Sequence, residues 1–199
     1  MLDILRKAKK QKKEIILNPA PAVVLPDEVY NELNHLILNE SEAAILGGIS
    51  EERLAVSLDE TANYFIERGV HNVVITLGSK VAIHFFFYSI SLVTLSRGLL
   101  YQGVYYQTQL LAQGGKLGIK IPARQIQVVD TTAAGDTFVG AYAAMRAQFS
   151  NEEANMSAII DFANRAASIA VQTQGAQGAI PFLADVPLDG SSVLQALFE

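Results

Sequence analysis

Apolar and polar positions along this chain fall into blocks that switch between two periods. Residues 2–11 carry a helical pattern with a strongly cationic side. They lead into a short apolar run at 14–17, which Asn18-Pro19-Ala20-Pro21 interrupts. Residues 27–34 read as a helix and 36–38 as a buried strand; 41–46 read as a short helix closed by Gly47-Gly48. A clearer helix at 57–68, closed by Gly69, feeds a strand at 72–77 that ends at Gly78. Further β-rich runs stand at 104–109, 119–121 and 126–129, followed by helices at 135–149 and 152–171. Strands alternating with helices of this length predict an α/β fold with a mostly parallel sheet covered on both faces. Ligands of such sheets sit beyond the carboxyl ends of strands, so the loops beginning at Asn39, Gly78 and Asp130 are where chemistry is expected.

One stretch follows neither period. Residues 81–102 include 14 apolar or aromatic positions out of 22. Only 16 residues separate Lys80 from Arg97, short of the roughly 20 that a bilayer requires, so no membrane span is expected.

Composition narrows the picture further. At 199 residues, half of them apolar, the chain has enough interior for one domain with a real core. A net charge of -5 argues against nucleic acid as a partner, and the absence of cysteine excludes disulfides and thiolate chemistry and fits a reducing, cytoplasmic setting. Arg6, Lys7, Lys9, Lys10, Lys12 and Lys13 would serve as a nuclear-targeting or lipid-surface patch, but a solvated helix face explains them more simply. His35, His71 and His84 show no metal-ligand spacing and read as structural.

The strongest chemical signal is Asp130-Thr131-Thr132-Ala133-Ala134-Gly135-Asp136-Thr137-Phe138, between an apolar run and a helix. Small residues at such a turn let backbone N–H groups approach a ligand, and the helix start adds a partial positive charge suited to phosphate. An aspartate at the mouth of that pocket can take a proton from an attacking hydroxyl.

This run resembles the C-terminal signature of the ribokinase-like (PfkB-type) carbohydrate kinases. The resemblance implies a three-layer αβα, Rossmann-like fold and ATP-dependent phosphorylation of a sugar's primary hydroxyl, with ribose the expected sugar. Asp136 would be the general base, and the N–H groups of Ala133, Ala134 and Gly135, with that of Asp136, an anion hole. Asn39-Glu40-Ser41-Glu42 is similar to the family's Asn-x-x-Glu motif, which implies that Asn39 and Glu42 position magnesium and phosphate. Thr76-Leu77-Gly78-Ser79 resembles the nucleotide loop, with Thr76, Gly78 and Ser79 near the phosphates, and Asn164 matches a residue beside the adenine. Segments around Asp130, Thr132, Ala170, Thr173, Gly175 and Ala179 resemble loops that hold an activating potassium ion. The implied cofactors are therefore ATP, magnesium and a monovalent cation.

Two departures matter. The family's sugar-binding segments and its β lid would precede Met1, so the chain reads as truncated at its N-terminus. The homodimer that the family forms through that lid is then not expected of this chain. Second, joining Lys80 to Gly103 restores the family's pattern, and valine and glutamine codons suit intron borders, so residues 81–102 read as a retained intron of 22 codons or, failing that, a loop particular to this protein. A kinase for another sugar or a nucleoside, and an inactive fragment that at most binds nucleotide, remain the alternatives.

Overall fold

The computed structural model describes residues 1–50, 53–54, 57–78, 103–108, 118–122, 124, 126–149 and 156–188. The elements are, in chain order, α1 (Leu2–Lys10), β1 (Ile16–Leu17), α2 (Asp27–Tyr30), β2 (His35–Asn39), α3 (Glu40–Gly47), α4 (Leu58–Glu67), β3 (Asn72–Leu77), β4 (Gly103–Thr108), β5 (Ile119–Ile121), α5 (Ala134–Gln148) and α6 (Met156–Ala170). Short 3-10 turns follow at Gln177–Ala179 and Leu183–Asp185.

The strands form one sheet in the order β1-β2-β3-β4-β5. Strands β1, β2 and β3 run parallel, with Ile16 opposite His35 and Asn39 opposite Thr76. Strands β4 and β5 continue the sheet antiparallel, with Thr76 opposite Val104 and Tyr106 opposite Ile119. The β-α alternation thus describes the first three strands; at one edge β4 alone runs against them, and β5 resumes their direction.

Alternation along each strand sends side chains into two separate cores. Leu36 and Leu38 of β2, Val73, Ile75 and Leu77 of β3 and Tyr105 of β4 face a layer built from α1 to α4, whose buried members include Val29, Ala43, Leu46, Ala62 and Phe65. Ile37, Val74, Val104 and Tyr106 face the other way, onto Phe138, Tyr142 and Met145 of α5 and Ile159, Ile160 and Ala163 of α6. Two helical layers on one central sheet make the three-layer αβα arrangement that the sequence implied.

Two expectations change. The helix read at 27–34 spans only Asp27–Tyr30; beyond it, the Asn34 side chain accepts from the Ile15 amide at 2.9 Å and ties the chain to the start of β1 instead. Residues 126–129 form no strand: the amides of Val129 and Asp130 both donate to the carbonyl of Val171, at 2.8 and 3.1 Å, so this run docks on the end of α6 and not on the sheet. The apolar segment at 81–102 lies outside the described residues.

Gly69, which closes α4, has φ 103°, and a Cβ there would stand 2.1 Å from Oδ1 of Asn31. Gly140 sits exposed inside α5, with open space where a Cβ would be. Gly69→Ala should therefore destabilise the fold by about 1–2 kcal/mol or more, and Gly140→Ala should stabilise it by about 0.5–1 kcal/mol. Urea unfolding of the two variants beside the parent checks both signs.

Candidate active site

The carboxyl ends of β2 and β3 and the start of α5 meet around one open cleft of about 300 Å³. It is lined by Asn39, Glu40 and Ser41 after β2, by Thr76 and Gly78 after β3, and by Thr131, Ala134 and Gly135 at the start of α5, with Val128 and Val171 as an apolar wall. The three loops singled out from the sequence thus meet in one cavity.

The start of α5 supplies its polarity. Ala133 occupies the N-cap position, and no side chain caps the helix. The Ala134 amide donates to the carbonyl of Thr131 at 3.1 Å. Those of Gly135 and Asp136 belong to the first turn, where no intrahelical carbonyl lies within reach, so they are the donors left for a ligand. Space above Gly135 is open, since a Cβ built there would meet nothing within 4 Å. Asp136, the next residue, is exposed in that same first turn, one position past Gly135, and is not itself among the residues that line the cleft.

Asn39 and Glu42 turn out to be a helix cap. Asn39 Oδ1 accepts from the Glu42 amide and Glu42 Oε2 accepts from the Asn39 amide, both at 2.8 Å. Asn39 still lines the cleft, whereas Glu42 is buried and absent from its lining. The acid that faces the cleft is Glu40, whose Oε2 lies 4.0 Å from the point where a Cβ on Gly78 would be. Helical spacing carried that signal, because an acid three residues after an N-cap folds back while its neighbour at the first position points outward.

The residues expected around a monovalent cation are drawn together by a single carboxylate. Asp130 Oδ1 accepts from the amide and hydroxyl of Thr132, at 2.9 and 2.6 Å, and Oδ2 accepts from the Gly175 amide at 2.9 Å. The Thr132 hydroxyl, with the Gly175 and Thr132 amides, holds this carboxyl down at about 2. The Thr173 amide donates to the Ala170 carbonyl at 3.2 Å, and Ala133, Ala170 and Ala179 pack together beneath. Asn164 stands apart: buried in α6, it donates to the Pro122 carbonyl at 3.2 Å, and it does not line the cleft. Its Oδ1 is buried with no hydrogen-bond partner. Ser79 lies outside the described residues. Among those described, no three His, Cys, Asp or Glu side chains gather as a metal cluster, and no helix is long and apolar enough to cross a membrane.

Known proteins resemble this chain in sequence and in fold. Residues 92–183 match the family described as pfkB family carbohydrate kinase. The chain is 36% identical over 171 residues to a ribokinase of Staphylococcus aureus, covering 86% of this chain and 46% of that protein. It is 35% identical to one of Haemophilus influenzae, covering 87% and 46%. A solved structure of Arabidopsis thaliana ribokinase complexed with ribose and ATP superposes with a TM-score of 0.68 at 26% identity, over 98% of this chain and 50% of that one. The chain spans about half the length of the relatives it matches. By sequence and by fold the chain is similar to the pfkB family of carbohydrate kinases, over about half the length of its relatives.

The Asp130 clasp yields a test. Replacing Asp130 by Ala frees the Gly175 amide and should raise hydrogen exchange and proteolysis at residues 173–177 while leaving β2 unchanged. Because the folded carboxyl ionises lower than the unfolded one, the clasp persists above about pH 4 and weakens only as pH falls toward 2. Exchange at 173–177 that rose already at pH 5 would contradict it.

Proposed function

We propose that this chain forms the nucleotide-binding and phosphoryl-transfer part of an ATP-dependent sugar kinase, with ribose as the sugar and Asp136 as the base. One observation carries the reading: an uncapped helix start, with an exposed carboxylate in its first turn, opens into the cleft where the ends of β2 and β3 converge. Phosphoryl transfer asks a protein chiefly for positioning and for donors aimed at the phosphoryl oxygens, and this arrangement supplies both. The amides of Gly135 and Asp136 would face the transferred group, with Asn39, Thr76 and Gly78 along the rest of the phosphate chain. Asp136 would accept the proton of the sugar's primary hydroxyl as its oxygen bonds to the γ-phosphorus and the β–γ bridge breaks.

Magnesium, when bound, neutralises phosphate charge; Glu40 at the cleft wall suits an outer position on that ion better than the folded-back Glu42. The loops that Asp130 joins would hold a potassium ion through backbone carbonyls. Likeness to ribokinases supports ribose, and the ribose and ATP complexed with the Arabidopsis protein support the pair of substrates. The sugar's own contacts would come largely from sequence outside the span matched here.

Magnesium-ATP at 100 times its dissociation constant should stabilise the chain by about 2.7 kcal/mol. Asp136→Asn should keep that thermal shift and lose ribose-dependent ADP formation by about 10²–10⁴-fold, the range of a general base. Undiminished turnover by Asp136→Asn would remove the proposed base. A thermal shift without turnover of any sugar in the parent would favour a nucleotide-binding module.

A further inference from the structure

The mechanism leaves unused a buried charged network at the opposite end of the sheet. Glu14, in the loop before β1, accepts at Oε1 from His35 Nε2 and from Arg146 Nη2, both at 2.6 Å. His35 Nδ1 lies 2.8 Å from the Tyr142 hydroxyl, which is also 3.2 Å from Met156 Sδ at the start of α6. His35 is 1% exposed, Tyr142 fully buried and the Arg146 side chain 9% exposed.

The geometry fixes the protons. Burial pushes His35 below its ordinary value more strongly than Glu14 raises it, so the ring is neutral despite its ion-pair distance from Glu14. A carboxylate only accepts, so Nε2 carries the hydrogen and Nδ1 accepts from Tyr142. Burial raises Glu14, but hydrogen bonds from His35 and Arg146 more than offset this and hold it at about 2. The negative charge on Glu14 is thus balanced by Arg146.

Position gives the network a purpose. Strand β2 runs from His35 in the network to Asn39 at the cleft, and α5 runs back from Ala134 at the cleft to Tyr142 and Arg146 in the network. Four strand residues and eight helical ones span nearly equal lengths, about 13 and 12 Å. Between these ends, α5 meets the sheet through apolar contacts such as Phe138 and Met145 against Ile37 and Val74, which are non-directional. Directional bonds exist at the far end.

We infer that Glu14, His35, Tyr142 and Arg146 are positioning residues: they peg α5 axially against β2 and thereby set the height of the Gly135 and Asp136 amides over the cleft. The link to nucleotide rests on the function proposed above; the peg itself does not. Acid should loosen it. Both groups ionise lower in the fold than out of it, so His35 contributes fully above about pH 6.5 and Glu14 above about pH 4.5, and each share is lost as pH falls below that point. The charges facing the ring are Glu14, Arg146 and, from the start of β3, His71; Tyr142 faces it from α5. A cleft of about 730 Å³ lined by Glu14, Arg146 and His71 gives protons access.

The test is hydrogen exchange on the full chain, comparing residues 131–138 with α4, which the network does not touch. Tyr142→Phe keeps the ring and deletes one hydroxyl. It should speed exchange at 131–138 about fivefold at pH 7.5 with α4 unchanged, and weaken magnesium-ATP binding by a similar factor. The parent, corrected for intrinsic rates, should show the same local rise between pH 7.5 and 5.5, and needs no variant to fold. A lower melting temperature with exchange at 131–138 unchanged relative to α4 would reduce the network to plain stability and overturn the inference. Should the parent bind no nucleotide, the proposed function fails, and the exchange comparison still decides the peg.

Discussion

What the site depends on is the seating of α5 on one face of the sheet. A helix start attracts anions only over about its first turn, so its usefulness depends on where that turn stands relative to the strand ends. Phe138 and Tyr142, both fully buried and stacked at 6.2 Å, with Met145 behind them, hold α5 against Ile37, Val74, Val104 and Tyr106. Helix α6 backs the same seam through Ile159, Ile160 and Ala163. Apolar packing sets the distance of α5 from the sheet, and the polar network at its far end sets its height.

Electrostatics are divided between the two ends of this helix. At the cleft, the first turn is left without a side-chain cap, whereas the start of α3 next to it is capped reciprocally by Asn39 and Glu42. A capped neighbour beside an uncapped start means that the donors at Gly135 and Asp136 are the ones available. At the opposite end, Glu14 accepts from Arg146 Nη2, and neutral His35 links the pair to Tyr142. Between α5 and α6, Asp130 ties the loop entering α5 to the loop that follows α6, so both borders of the cleft floor are fixed by hydrogen bonds.

Much of this was legible in the chain before any coordinates. The strand at residues 72–77 has the bounds its pattern predicts, and α1, α3 and α4 match within a residue or two, because periodicity and, for α3 and α4, a closing glycine are local signals. The run from Asp130 to Phe138 located the cleft. Features that depend on distant partners were hidden. Residues 126–129 have the apolar look of a strand, yet their amides go to Val171, some forty residues on. Glu42 looked like a ligand until its carboxylate proved to close a cap. The network at the far end joins residues 21, 107 and 132 positions apart, and no spacing rule links Glu14 to Arg146 or His35 to Tyr142.

The proposed function requires a phosphate chain between the first turn of α5 and the ends of β2 and β3. An amide-resolved exchange or chemical-shift footprint of magnesium-ATP on the intact chain tests this most directly. Perturbation concentrated at residues 39–41, 76–78 and 131–136, with α1 and its lysines silent, is the expected outcome. A footprint centred on Lys9, Lys12, Lys13 and Arg146, or one absent from residues 131–136, would contradict it.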